Sequence, residues 1–257
     1  MSDKIVPVDF SSARRGADAA RPDANRPPVP RVPDFAHADA IWLRPGDIAF
    51  LLAAAGHPSD DDSLLAPGAS PAVEALIEGE AVYRQVTGAA GGWLDISPQL
   101  YFHVLLRRHL PRPRTYLQRR VQRYLANLLS LFVRTDRLYR IQPGEHETFE
   151  YLVDLMAEAA ESGPERQFLV HAHMGNYALY LAGIGRGWIE HRQRYGRSAL
   201  GLDYYRDMGC SAYQRAADHR LARELDIAPI LEHLAQRFSG YAGALQRLQP
   251  GGPPGSG

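Results

Sequence analysis

Cysteine and lysine are almost absent from this chain of 257 residues, which contains one of each. A single cysteine, Cys210, cannot form an internal disulfide, and zinc sites built from four cysteines are excluded. Apart from Lys4, the basic residues are all arginine, whose planar group suits phosphate and carboxylate partners. A GC-rich genome produces the same bias, so the bias alone indicates no partner. Because a reducing compartment is permitted, we predict a cytoplasmic location.

Net charge and long apolar runs are lacking as well. Basic and acidic residues number 29 each, so the molecule as a whole has no electrostatic reason to bind nucleic acid or a membrane. The apolar run at residues 48–55 is too short to cross a bilayer, and the run at 168–184 holds too many polar groups. We therefore predict no membrane partner.

Familiar catalytic and cofactor-binding motifs are also missing. The sequence has no GxxxxGK phosphate loop, no GxSxG nucleophile elbow, no HExxH zinc motif and no Glu-x-x-His pair of the di-iron type. We predict no metal site. Whether the chain is an enzyme, and which cofactor it would use, stays open at this stage.

The sequence divides into two tails and one helical body. Residues 1–36 are rich in Pro, Arg, Ala and Asp, and residues 250–257 are rich in Gly and Pro, so both are predicted to be disordered. Residues 37–249 carry apolar residues at three- and four-residue steps between short Gly- or Pro-containing breaks. This pattern predicts a single all-α domain, a compact multi-helix bundle of about eight helices.

The last predicted helix, at residues 227–248, has an apolar seam that steps by four and three residues without a break. A seam of this kind is typical of packing along one partner helix. Gly240 and Gly243 lie inside it, and each costs about 1 kcal/mol relative to alanine. We therefore expect the seam to dock on the parent bundle in preference to a second copy.

The stretch FLVHAHMGNYALYLAGI at residues 168–184 is uncharged and apolar on nearly every side, which predicts a central, buried helix. It also carries polar side chains, and a buried polar group without a partner costs about 1–3 kcal/mol. The candidate buried site combines these side chains with three from the start of a later helix. Its members are His171, His173, Asn176, Tyr177, Tyr180, Asp203, Tyr204 and Tyr205.

Three interpretations of this site are open. Helical spacing places His173, Tyr177 and Tyr180 on one side, and His171 above small residues on the other. The small residues favour close packing of another helix, although they also leave room for a planar ligand with His171 as an axial haem ligand. His173 and Tyr177 are one turn apart and suit proton transfer, with Asp203 as the carboxylate that orients the histidine. The third interpretation is a structural hydrogen-bond network.

Charge occurs in two opposite blocks. Residues 101–140 contain ten arginines and one acid among several aromatic residues, and residues 145–165 contain seven acids and no Lys or Arg. On a helical projection, the charged residues lie opposite the apolar stripes of their helices. The candidate interaction surface consists of Arg119, Arg120, Arg123, Glu150, Asp154 and Glu158.

These patterns support three hypotheses for the function. The first is a non-enzymatic regulatory or scaffold protein that binds a protein partner, or a second copy, through its charged surfaces. The second is a ligand- or haem-binding protein or an enzyme, with a small molecule held in a buried His/Tyr/Asn pocket. The third is nucleic-acid binding by the Arg-rich segment 101–140, which the acidic block makes less favoured than a protein partner.

Overall fold

Helices are the regular secondary structure in the residues that the computed structural model describes, which are 32–57, 70–88, 94–195 and 200–248. A 3-10 helix, Asp34–Ala36, precedes thirteen α-helices. In chain order these are α1 Pro45–Ala55, α2 Ser70–Ile77, α3 Glu80–Gly88, α4 Pro98–His109, α5 Tyr116–Phe132, α6 Thr135–Tyr139, α7 Leu152–Glu161, α8 Pro164–Gly183, α9 Arg186–Arg194, α10 Leu202–Asp218, α11 Arg220–Glu224, α12 Ala228–Gln236 and α13 Phe238–Gln246. These four ranges contain no strand, which confirms the all-α class.

The predicted count of about eight helices is too low, because two long predicted helices are each split in two. Gly79 separates α2 from α3, and its N–H donates to the Leu76 carbonyl at 2.9 Å. Between α12 and α13, the backbone of Arg237 (φ −119°, ψ 24°) leaves the helical region. The five-residue helices α6 and α11 add two more, since helices this short have no apolar periodicity to predict them.

The two predicted tails lie almost entirely outside the described residues, which leave out 1–31 and 249–257. The last positions of the predicted arm belong to the folded body, because Phe35 and Ala36 are buried. The Phe35 ring centroid lies 6.5 Å from that of Tyr124 and 6.1 Å from that of Phe168. The folded body therefore begins before residue 37, anchored by one large aromatic side chain.

Helix α8 runs through the larger of two hydrophobic clusters. Fifteen of its twenty residues are buried, so the prediction of a central buried helix is confirmed. Its most extensive neighbour is α10, followed by α13 and α7. Within the described ranges, no helix combines the length and the apolar character that crossing a membrane would require.

Small residues allow the neighbours of α8 to approach it closely. A Cβ atom added at Gly175 would lie 2.5 Å from the ring of Tyr213 on α10, and one added at Gly183 would lie 2.6 Å from Leu245 on α13. Leu245 belongs to the apolar seam predicted at 227–248. The seam therefore packs within its own chain, as expected.

The smaller hydrophobic cluster is formed by α1, α2, α3 and the first half of α4. The fully buried carboxylate of Asp47 joins α1 to α4, because it accepts hydrogen bonds from the backbone N–H groups of Arg44 at 2.8 Å and Ser97 at 2.6 Å. The second half of α4 belongs to the larger cluster. Helix α4 thus connects the two clusters, and a single domain over residues 37–249 stays a prediction.

Arginine–carboxylate ion pairs join distant parts of the chain. Eight of the ten arginines in residues 101–140 lie within 4 Å of a carboxylate, and four of these eight are buried side chains. These buried arginine side chains pair as follows: Arg107 with Glu74 and Glu78, Arg120 with Asp39 and Asp226, Arg123 with Glu74, and Arg137 with Asp34. Because these partners come from outside the segment, its sequence overstates its free positive charge.

Replacing Gly175 with alanine is expected to destabilise the fold, although alanine is the better helix former. The new Cβ would meet the ring of Tyr213, which is fully buried and held by a hydrogen bond from its hydroxyl. Overpacking of this kind costs about 1–3 kcal/mol, and urea denaturation measures the loss in the free energy of unfolding.

The matched control is Gly240→Ala in α13, where an added Cβ meets nothing within 4 Å. Here only helix propensity changes, so the free energy of unfolding is expected to rise by up to about 1 kcal/mol. Equal effects of the two substitutions would contradict the close contact between α8 and α10.

Candidate functional site

Asn176 accepts two hydrogen bonds in the middle of the body. Its Oδ1 atom receives the hydroxyl of Tyr124 on α5 at 2.8 Å and that of Tyr213 on α10 at 2.9 Å. Asn176 and both tyrosines are at most 1% exposed. Burial raises the pKa of both tyrosines, so the hydroxyl groups stay protonated and act as donors. At Asn176, the predicted polar site is therefore a structural network that joins three helices.

His173 and Tyr177 lie together, but their pKa values are shifted apart. Their rings stack with centroids 6.3 Å apart. Burial, followed by the charge of Arg137, lowers the pKa of His173 to about 3, and burial raises the pKa of Tyr177 well above 10. The Tyr177 hydroxyl donates to the Glu150 carbonyl at 3.0 Å. Both side chains are neutral at pH 7, and this geometry does not support acid–base catalysis, which works best with a pKa near the working pH.

The opposite side of α8 is filled by helix packing. His171 is half-buried, and burial together with the charge of Arg215 lowers its pKa. One turn further along, the ring of Tyr213 occupies the space beside Gly175. A planar ligand such as haem would have to displace that ring. Of the two interpretations of the small residues, the structure therefore matches close helix packing.

Asp203 does not join the buried site. Its side chain is 83% exposed and pairs with Arg206, one turn later in α10, with 2.6 Å between Oδ1 and the guanidinium. The expectation that this carboxylate orients His173 is wrong, because the carboxylate faces solvent and pairs with an arginine of its own helix, whereas His173 is buried.

Tyrosines gather beside the start of α7. The rings of Tyr139 and Tyr177 are 6.2 Å apart, and Tyr151 and Tyr205 both lie close enough to Tyr177 to influence its pKa. The tyrosine cluster consists of Tyr139, Tyr151, Tyr177, Tyr180, Tyr204 and Tyr205. It extends from the buried Tyr177 to Tyr151, which is 39% exposed. The structure thus brings together all four tyrosines of the predicted site.

Two of the three predicted surface arginines are buried instead. Arg120 and Arg123 are only 3% and 7% exposed. The helical projection misplaces them because segments carrying Asp39 and Asp226 cover the polar side of α5, where both carboxylates lie within 2.9 Å of Arg120. Arg119 is half-buried and has no ion-pair partner in the part of the chain that the structure describes.

The predicted acidic residues differ in their exposure. Asp154 is exposed, and no ion-pair partner for it occurs among the described residues. Glu158 is half-buried and pairs with Arg166 at 2.8 Å. Glu150 is half-buried next to Tyr177. Asp154 is therefore the member of this group that is most available to a partner.

Helix α7 has a second apolar stripe that faces solvent. While Leu152, Leu155 and Ala159 pack into the body, four other apolar residues are exposed at the spacing i, i+3, i+4 and i+7. The acidic residues lie along one margin of this stripe. We call the set the α7 face, and it consists of Val153, Asp154, Met156, Ala157, Ala160 and Glu161.

Some residues with defined roles were missed by the sequence interpretation. Tyr124 and Tyr213 lie 52 and 37 positions from Asn176, a separation at which no local pattern connects them. The exposed stripe of α7 did have a signal, the second set of apolar residues at helical spacing. Within the described ranges, no group of three or more His, Cys, Asp or Glu residues could hold a metal ion.

Comparison with known proteins adds no relative: no family model, curated protein or solved structure matches this chain. The functional interpretation therefore depends on the chain's own geometry.

Replacing Asn176 with leucine is expected to lower the free energy of unfolding by about 2–6 kcal/mol, because two buried hydroxyls each lose an acceptor at about 1–3 kcal/mol. Urea denaturation measures this loss. In the triple variant Tyr124→Phe/Asn176→Leu/Tyr213→Phe the donors are removed together with the acceptor, so most of the stability should return. A triple variant no more stable than Asn176→Leu alone would contradict the network.

Stability is expected to fall below pH 6.5 because of two buried histidines. Burial lowers the pKa of His103 and of His173 from 6.5 to about 3. Between these values the unfolded chain binds protons that the folded chain does not, so the free energy of unfolding decreases as the pH falls. Each histidine contributes up to about 1.4 kcal/mol per pH unit.

Urea denaturation between pH 6.5 and about 5, above the ordinary range of carboxyl groups, checks this dependence. His173→Gln is expected to reduce the slope of stability against pH by up to about 1.4 kcal/mol per pH unit, and the matched control His191→Gln, at an exposed histidine, should leave it unchanged. Identical slopes in all three proteins would show that His173 is not the titrating group.

Proposed function

We propose that this protein is a non-enzymatic scaffold or regulator that binds a partner protein at the α7 face. The observation that carries the proposal is a solvent-exposed apolar stripe on a helix whose other side already packs against α8. Val153 is 60% exposed and Met156 is 44% exposed, side by side along the stripe. An apolar patch of this kind, rimmed by polar residues, is characteristic of protein-interaction sites.

The charges on the α7 face specify the chemistry of the partner. Asp154 and Glu161 are exposed and have no ion-pair partner among the described residues. At about 100° per residue, both lie on the side of Val153 that is opposite to Met156. The matching partner is an amphipathic helix that places apolar residues on the stripe and Lys or Arg along one flank.

The tyrosine cluster supports this location. Tyr151 is exposed and immediately precedes α7, with the other tyrosines packed behind it. Tyrosine and methionine are enriched at protein interfaces, where rigid aromatic side chains supply contact area at a low entropic cost. The α7 face therefore has an aromatic margin as well as an acidic one.

The two other hypotheses receive less support. Nucleic-acid binding by residues 101–140 is weakened because eight of the ten arginines there pair with carboxylates. A buried catalytic or haem pocket along α8 is weakened by the neutral His173–Tyr177 pair and by the Tyr213 ring beside Gly175. The cytoplasmic location stays a prediction.

The test uses a fluorescent synthetic helix of leucine and lysine about 18 residues long, above the length at which isolated helices become marginal. Anisotropy titration is expected to detect binding that weakens with added salt. Val153→Glu should weaken it at least about tenfold by placing a charge on the stripe. The matched control is Val133→Glu, because Val133 is 55% exposed at the end of α5 and should have no effect.

A mirror peptide of leucine and glutamate is expected not to bind. Equal binding of the two peptides, or equal weakening by the two valine substitutions, would overturn the proposal. Light scattering tests whether a second copy of the chain covers the α7 face. A dimer that Val153→Glu dissociates would show that a second copy, and not a separate partner, binds there.

A further inference from the structure

A cavity of about 440 Å³ lies where the end of α4 meets α5, α12 and α13. None of its lining residues belongs to the α7 face or to the predicted site along α8. Its polar lining is supplied by Gln118, Gln122, His233, Arg237, Tyr241 and Arg247. The volume lies within the range of small-molecule sites, which is about 300–1,000 Å³.

The cavity is positively charged in a molecule whose net charge is zero. Arg237 and Arg247 both line it, and none of the lining residues is acidic. Arg237 is exposed and has no ion-pair partner in the described part of the chain. Arg247 donates one N–H to the carbonyl of His109 at 3.0 Å, which fixes its side chain and leaves other donors. A cleft lined by one sign of charge concentrates ligands of the opposite sign.

Gln122 adds an independent observation that points to a ligand. The residue is 5% exposed, and its Nε2 donates to the carbonyl of Pro111 at 3.0 Å, which orients the amide. Its Oε1 atom is buried and has no hydrogen-bond partner. A buried acceptor of this kind normally receives a hydrogen bond from a donor. Besides the two arginines, the lining residues therefore include an acceptor that lacks an O–H or N–H donor.

We propose that this cavity binds a small organic anion that also carries a hydroxyl group, such as a phosphate ester or a hydroxy acid. Arg237 and Arg247 bind the anionic group, because guanidinium groups form charge-assisted hydrogen bonds with phosphate and carboxylate oxygens. Because Oε1 of Gln122 is buried, the amide turns toward the ligand on binding, and the hydroxyl then donates to Oε1. This site is independent of the proposed contact at the α7 face.

Isothermal titration calorimetry of the full chain with four probes tests the ligand class. Glycerol phosphate and malate each combine a negative charge with a hydroxyl, inorganic phosphate lacks the carbon-bound hydroxyl, and glycerol lacks the charge. We expect glycerol phosphate or malate to bind at least about tenfold more tightly than phosphate or glycerol. Whichever of glycerol phosphate and malate binds more tightly shows whether the preferred anionic group is a phosphate or a carboxylate.

Charge variants connect the binding to the cavity. Arg237→Gln and Arg247→Gln are each expected to weaken binding of the preferred probe by about tenfold to a hundredfold. The matched control is Arg194→Gln at an exposed arginine of α9 outside the cavity, which should bind as the unmodified chain does.

A blocking variant keeps both charges. Gly240 lines the cavity, and an added Cβ there meets nothing within 4 Å. Gly240→Leu is therefore expected to fold, as judged by circular dichroism, and to abolish binding, while Gly240→Ala retains it. The proposal is overturned if neither glycerol phosphate nor malate binds, if phosphate or glycerol binds equally well, or if folded Gly240→Leu binds as tightly as Gly240→Ala.

Discussion

The pairing of buried arginine side chains with carboxylates is the constraint on which the rest of the structure depends. Removing a guanidinium group from water is costly, and the cost is recovered only when the group is paired in good geometry. Arg120 contacts the carboxylates of Asp39 and Asp226 and also donates to the Asp226 carbonyl at 2.7 Å. The forked guanidinium presents five N–H donors in a fixed plane, whereas the lysine ammonium presents three donors at a single nitrogen. These contacts fix the segments that carry Asp39 and Asp226 against α5.

Close packing and the hydrogen bonds to Asn176 determine how the helices are arranged at the centre of the molecule. Because Gly175 has no side chain, the Tyr213 ring packs directly against α8, and its hydroxyl donates a hydrogen bond to Asn176. The histidine in this region is held neutral by burial. The three-residue network at Asn176 favours one arrangement of α5, α8 and α10.

Two surface features of opposite charge are available for recognition. The α7 face combines an exposed apolar stripe with unpaired acids, whereas the cavity between α4, α5, α12 and α13 holds two arginines and no acid. Balanced composition conceals this division, because 29 basic and 29 acidic residues sum to zero while their positions in space do not average out.

Local patterns in the sequence determined the helical class and the burial of α8, since each depends on neighbouring residues at helical spacing. Tertiary structure alone decided which polar groups meet. Asn176 finds its tyrosines 52 and 37 positions away, and Arg120 finds Asp226 across 106 positions. A projection of one helix shows which side a residue occupies, but not what covers that side. For this reason Arg120 and Arg123 were expected at the surface, and the basic cavity had no counterpart in the sequence pattern.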